Sequence, residues 1–226
     1  MPAWTPADLA SRPEDATARW THPVFGPIVA RQLRPDDESE LAGFFDGLSP
    51  TTARFADVAA DGAVRAAEHV DSIGRHDKVR MVLTRARGPE ARGAEAGGPE
   101  AGGAEPVGPV LGLLELSLDL TPDDVDRFRG HGVELGGLDG RFGLCLADAV
   151  QGCGLAAGAM PGMLALTRRL GRSRLILWGG VYADNARARR FYRRVGFVDV
   201  GGFERDGRQL RDGLLDLCAV PDRPGR

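Results

Sequence analysis

Residues 141–218 constrain the fold more than any other part of this chain. They read as a strand over 141–147, a glycine turn, a helix over about 155–170, a strand over 174–179, a helix over about 186–194, and strands near 197–203 and 210–218. Short strands alternating with helices imply a sheet that buries its faces under helices, and strands outnumber helices, so the sheet is expected to be mixed.

The front half supplies more of the same. A strand over 27–33 is closed by Pro35, and Asp36 or Asp37 can cap a helix whose Leu41, Phe44, Phe45 and Leu48 recur at helical spacing. Asp61 can cap a second helix reaching about Val70. Strands over 78–84 and 110–118 follow, rich in Val, Ile and Leu. Thr121, Pro122 and Asp124 then combine a hydroxyl cap, a proline at the first helical position and an acid in the first turn, which predicts a short helix to about Phe128. The expected class is α/β (α+β), with seven strands and helices on both faces.

Two segments stand apart. Residues 1–26 mix Pro, Asp, Ala and Arg with isolated Trp4 and Trp20 and show no sustained period, so they are expected to form an extension. Residues 88–109 contain 7 Gly and 4 Pro, with Glu at 90, 95, 100 and 105. Such a segment has little to bury and is expected to be a disordered-like hairpin tip. With a tail at 221–226, one domain is left over 27–220. At 226 residues and 42% apolar content the chain can bury one substantial core.

A formal charge of −3 gives no global basic field, so nucleic acid is not an expected partner. Cys145, Cys153 and Cys218 are odd in number, and the four histidines never approach them at ligand spacing, so neither a disulfide framework nor a metal is expected. The apolar stretch at 155–166 is too short for a membrane span and contains Pro161; a cytoplasmic location is expected. Of 29 basic residues only Lys78 is lysine.

The turn Gln151-Gly152-Cys153-Gly154-Leu155-Ala156 opens directly into a helix. Glycines there let a ligand approach the backbone, and the unpaired N–H groups of the first helical turn favour an anion such as a diphosphate. No Gly-Lys-Ser/Thr follows, and the Gly-x-Gly-x-x-Gly spacing of dinucleotide sites is missing. Further on, Asn185 can cap a helix that carries Ala188, Phe191, Tyr192 and Val195 on one face and stops at Gly196. Its dense arginine run, from Arg187 to Arg194, reads as a solvated face or as a phosphate contact.

These two elements, in this order, resemble the GNAT superfamily of acyl-CoA-dependent N-acetyltransferases. Its members carry Gln/Arg-x-x-Gly-x-Gly/Ala between the fourth strand and a helix, then Asn-x-x-Ala-x-x-Phe-Tyr-x-x-x-Gly-Phe after the fifth strand. The front of the chain, Arg31-x-Leu33-Arg34-Pro35-x-Asp37 and Leu48-Ser49-Pro50, is similar to bacterial stand-alone members and to the acetyltransferase domain of protein-lysine acetyltransferases. The resemblance implies a GNAT fold with a mostly antiparallel seven-stranded sheet. It implies acetyl-CoA as co-substrate, an amine acceptor and no metal, and it is compatible with a homodimer. By the same resemblance, the backbone of Leu144, Cys145 and Leu146 meets the pantetheine arm, Gln151 to Ala156 hold the pyrophosphate, Asn185 lies near the thiol end, and Tyr192 stands beside the sulfur.

Chemistry supports the last role. A thiolate whose conjugate acid has a pKa near 8.5 can take a proton from a phenol near 10. The glutamate that some members carry on the fifth strand is absent, since the stretch reads Leu177-Trp178-Gly179-Gly180-Val181. Glu115, Asp148 and ordered water remain as routes for the amine's proton. A non-catalytic acyl-CoA sensor is the alternative function. Trp178 is expected to be a buried strand residue, Phe191 a core residue, and Pro161 is expected to kink its helix.

Overall fold

The computed structural model describes residues 3–56, 61–75, 77–86 and 108–219. In it, alternate residues of the central strands serve two different cores. The strands are β1 (Ala18–His22), β2 (Gly26–Gln32), β3 (Lys78–Arg85), β4 (Gly112–Ser117), β5 (Asp139–Leu146), β6 (Arg174–Leu177), β7 (Val181–Tyr182), β8 (Val198–Arg205) and β9 (Arg208–Asp216). The helices are α1 (Pro6–Ser11), α2 (Glu38–Asp46), α3 (Pro50–Phe55), α4 (Gly62–Asp71), α5 (Pro122–Gly130), α6 (Leu155–Arg169) and α7 (Ala186–Val195). Val79, Met81, Leu83, Leu114, Leu116 and Phe142 join the core under α6, whereas Val82 and Leu113 join Leu41, Phe44, Phe45 and Ala66 under α2 and α4. Both faces are therefore covered, which is why β3 and β4 read as nearly continuous apolar runs.

Among the described residues the sheet has nine strands in the order β1-β2-β3-β4-β5-β6-β9-β7, with β8 on β9. Every pairing is antiparallel except β5 with β6. The two strands beyond the expected seven are β7, only two residues long, and β1, which lies inside the segment read as an extension. Tertiary contact explains β1: it forms a hairpin with β2 and lies across α6, where Gly158 and Gly162 admit it. A Cβ at Gly162 would stand 2.7 Å from the Ala18 Cβ, and one at Gly158 would stand 2.4 Å from the Trp20 indole nitrogen. α1 has its own signals, a Thr5 cap reciprocated by Asp8 and a proline at its start. Trp4 adds a backbone bond to Arg169 at the end of α6.

The caps expected at Asp61 and Thr121 are present. Asp37, expected as a cap, stands at the N-cap position of α2 but makes no side-chain cap bond to it. Fully buried, it takes a bidentate pair of 2.6 Å bonds from Arg31 and a third from the Arg34 N–H, tying β2 to the turn before α2. Pro161 leaves α6 unbroken from Leu155 to Arg169 and sits on its exposed side, so the helix begins at the glycine turn. The Gly/Pro segment at 88–109, except its last two residues, and the tail at 221–226 lie outside the described residues. Among the described residues no helix is long and apolar enough to cross a membrane, and no group of three His, Cys, Asp or Glu could hold a metal ion.

Gly162→Ala should cost about 1–3 kcal/mol in overpacking, because the added methyl overlaps Ala18 in a packed contact, and so lower the unfolding free energy by up to about 2 kcal/mol net. Alanine's helix propensity, about 1 kcal/mol better than glycine's, works in the opposite direction. Urea unfolding measures this, and a midpoint raised by the full propensity gain would mean that β1 does not pack on α6 in this way.

Candidate functional site

β5 and β6 run in parallel register from Asp139 with Arg174 to Phe142 with Leu177, and Trp178 adds a last N–H bond to the Phe142 carbonyl at 2.9 Å. There they part. Gly179 and Gly180 both hold left-handed backbone, φ +66° and +74°, and turn the chain out of the sheet. Gly180 has no room for a side chain either, since a Cβ would meet the Phe203 ring at 2.8 Å. β5 continues along β4 to Leu146. The gap opens into a cleft of about 2050 Å³ that runs from the glycine turn at Gly152 to Lys78 and Arg127.

On β5 the backbone groups alternate sides. Phe142 faces β6 and so, by the same alternation, do the polar groups of Leu144 and Leu146. Cys145 turns its backbone to β4 opposite Leu113 and contributes its side chain to the cleft wall. The Leu146 carbonyl already accepts a bond from Gln151 Nε2 at 2.9 Å.

At one end of the cleft, Gly152 (φ +79°) and Gly154 (φ +101°) bring the backbone into α6 with no side chain capping it. The first-turn N–H groups at Leu155, Ala156 and Ala157 therefore open toward the cleft with their partial positive charge. His22 holds this turn from behind, a role that the sequence did not suggest. Its Nδ1 accepts bonds from the N–H groups of Val24 (3.2 Å) and Phe25 (3.3 Å), which leaves the proton on Nε2 to donate to the Cys153 carbonyl at 3.1 Å. β1 thus positions the glycine turn through one buried imidazole.

Gln151 acts as a brace. Its Nε2 donates to Thr52 Oγ1 (3.0 Å) and to Leu146, and its Oε1 accepts from Arg187, so the side chain joins α3, β5 and α7. Asp148 is equally committed. It accepts bonds from the Ser49 N–H (2.8 Å), the Ser49 hydroxyl (2.8 Å) and the Thr52 hydroxyl (2.7 Å), fastening α3 beside the cleft. Burial alone would raise its pKa, but the Ser49 and Thr52 donors outweigh burial and hold the carboxyl below its ordinary value. A carboxylate so engaged is a poor base.

α7 supplies the opposite wall. Asn185 Oδ1 caps the helix at the Ala188 N–H (3.0 Å), which leaves its amide NH₂ as the group able to meet a ligand. Tyr192 packs edge-on against Phe142 and Phe197, with ring centroids at 6.4 and 5.4 Å. Burial, and then negative charge at Cys145, push its phenol above the ordinary value, so it stays a donor. Phe191, expected in the core, is half-buried on the rim, and no residue of α7 is fully buried.

At the other end lie Glu115, His69 and Arg80. Glu115 accepts from Arg80 Nε at 3.0 Å, and His69 Nε2 is 3.4 Å away. Burial would raise the Glu115 pKa, but His69 and Arg80 outweigh it and bring it below the usual value. Trp178, expected to be buried, is only partly so and lines the cleft, because β6 ends one residue before it.

Acid should loosen the α3 anchor. The Asp148 pKa is depressed in the folded state, so its contribution is present above the unfolded value near 3.9 and is lost as pH falls below it. The melting-temperature gap between wild type and Asp148→Ala should be full above about pH 5 and shrink toward pH 3. A gap independent of pH would show that the carboxylate's charge is not what holds α3.

No protein-family model matches the sequence, and no curated protein matches it. Solved structures do. The GNAT domain of S. lividans PAT superimposes with a TM-score of 0.64 at 16% identity, covering 90% of this chain and 98% of that one. Mycobacterium smegmatis RimJ in complex with CoA-disulfide gives 0.59 at 16% identity, over 91% and 88% of the two chains. Spermidine N-acetyltransferase from Vibrio cholerae, in complex with CoA and spermine, gives 0.57 at 16% identity, over 84% and 96%. Parted parallel strands, a glycine turn opening a helix between them and a mixed sheet are what this chain shares with these structures, and they give it the GNAT fold.

Proposed function

We propose that this protein transfers an acetyl group from acetyl-CoA to a primary amine by direct attack. The observation that carries this reading is the parting of β5 and β6 beside an uncapped glycine turn. It leaves backbone donors where a diphosphate would sit and an open strand edge leading away from them. The residues present fit the co-substrate: the N–H groups at Gly152 to Ala156 suit its pyrophosphate, and the cleft-facing polar groups of Leu144 with the Leu146 N–H suit its amide-bearing arm. Gln151 would act indirectly, by fixing the Leu146 carbonyl and α7.

In the reaction the amine nitrogen bonds to the thioester carbonyl carbon and the C–S bond breaks. Tyr192 donates its proton to the departing sulfur, and the nitrogen's surplus proton replaces it through water. A buried phenol is a weaker acid than a free one, but a thiolate in the same cleft is a stronger base than a free one. Cys145, a thiol in that wall, is pushed up to about 12 by burial, then by Asp148 and Glu115. Desolvation thus moves donor and acceptor in the same direction.

The proton on the incoming amine is harder to remove. An alkylammonium of pKa near 10.4 costs about 4.6 kcal/mol to neutralise at pH 7. Asp148 is spent on α3 and Glu115 is held low by Arg80 and His69, so the acceptor enters already neutral.

Saturating acetyl-CoA, at about 100 times its Kd, should add about 2.7 kcal/mol and raise the melting temperature by about 5–10 °C. No shift would remove the cofactor reading. Tyr192→Phe should lower kcat by about 10²- to 10⁴-fold while leaving that shift in place, and an unchanged kcat would exclude the phenol as the acid. kcat/KM should rise tenfold per pH unit below the acceptor's own pKa, and Glu115→Gln should keep that slope. A wild-type kcat/KM that is level over this range, with the slope appearing only in Glu115→Gln, would assign the base to Glu115.

A further inference from the structure

We propose that the acceptor amine carries an acidic group, a carboxylate or phosphate, held by Lys78 beside Trp178 on the cleft floor. The inference rests on the acetyl-transfer reading and names its substrate class.

On the side of the sheet facing α4, Arg80, Glu115 and Gly143 form one cross-strand row, and Lys78, Ser117 and Arg141 form the next. The Trp178 side chain stands over Gly143, where the strands part, and leans between the cations of both neighbours: Lys78 Nζ is 5.5 Å and the Arg141 guanidinium 4.4 Å from its ring. The inner carboxylates of this lobe are already matched. Glu115 is taken by Arg80 and His69. Asp124 is taken by Arg127 at 2.8 Å and Arg141 at 3.6 Å, and Asp212 by Arg127 at 2.8 Å. Arg141 also donates to Ser117 and to the Asp119 carbonyl.

Lys78 is the exception. Its nearest carboxylate, that of its neighbour Asp77, is 4.0 Å away, and among the described residues its ammonium makes no hydrogen bond. Its side chain is 28% exposed, so three N–H donors are only partly hydrated at the bottom of a cleft. The other acids of the lobe, Glu68, Asp71 and Asp123, stand exposed on the rim, where solvent screens them. An incoming cation would thus meet neutralised carboxylates and an ammonium paired with Asp77 alone, at 4.0 Å, whereas an incoming anion would meet a partly desolvated donor without a hydrogen bond among the described residues. The Lys78 row lies two residues before Gly143, about 7 Å along the strand. An acceptor with its amine at the strand parting and its acid several bonds away spans that distance.

CoA release with matched amines tests this: 4-aminobutyrate against butylamine, 6-aminohexanoate against hexylamine, 3-aminopropyl phosphate against propylamine, and 1,4-diaminobutane. The acid-bearing member should win by about tenfold or more in kcat/KM, mainly through KM, as one partly buried ion pair allows. The carboxylate and phosphate arms identify which acid fits. Lys78→Met should level the ratio and Lys78→Arg should keep most of it, with melting curves reporting that both variants fold. The proposal falls if wild type shows no preference or favours the diamine, if Lys78→Met leaves the ratio unchanged, or if intact-mass analysis finds Lys78 itself acetylated. It also falls if acetyl-CoA raises the melting temperature but no acid-bearing amine releases CoA or shifts the melting of the CoA complex, an outcome that leaves the cofactor reading standing. No shift with acetyl-CoA would remove the reading beneath it.

Discussion

The site depends on one interrupted hydrogen-bond ladder. A parallel pair buried between two helical layers would normally continue until both strands end, because unpaired backbone groups in such a place are costly. Here two successive glycines in left-handed backbone end β6 at Leu177 while β5 runs on to Leu146. The unpaired edge that results is the feature that a ligand with its own amide groups can complete. Gly180 is fixed twice, by its φ and by the Phe203 ring against it, so the parting is built into the chain's covalent geometry.

Holding the gap open falls to residues that touch no ligand in the proposed reaction. Asp148 fastens α3, Gln151 fastens α3 to β5 and α7, and His22 fastens the Cys153 carbonyl from the side of β1. Each takes up an acceptor or donor of the scaffold, so that the backbone N–H groups at the start of α6 are the ones left without partners. A preorganised anion site of this kind needs its competing internal partners to be occupied elsewhere.

How far the sequence could be read follows from how local each signal is. Caps at Asp61 and Thr121, the Asn185-to-Gly196 helix and the Gly152/Gly154 turn are decided within a few residues, and all were legible. β1 was not, because its pattern has no strong alternation and its position depends on Gly158 and Gly162, more than a hundred residues away. β7 is too short to show a period. The hydrogen bonds of Gln151 and Asp148 were hidden for a related reason: a polar side chain next to a cradle has the composition of a ligand contact, and its partners in α3, β5 and α7 come together only in the fold. The Gly179-Gly180 pair was visible, yet it registered as the absence of a glutamate rather than as the hinge that parts the strands.

The same distinction between spent and unspent groups governs the charges. The chain uses arginine for 28 of its 29 basic residues, and in the inner cleft those arginines are held in forks and shared bridges with Glu115, Asp124 and Asp212. Arginine suits that work because its planar donors satisfy several acceptors at fixed angles. A lysine has a single rotatable point charge on a long stem and holds a bridge less firmly, as Lys78 does with Asp77 at 4.0 Å, which makes it the better group to offer a ligand that comes and goes. The one lysine of the chain stands where such a group is needed, over the tryptophan that marks the parting of the strands.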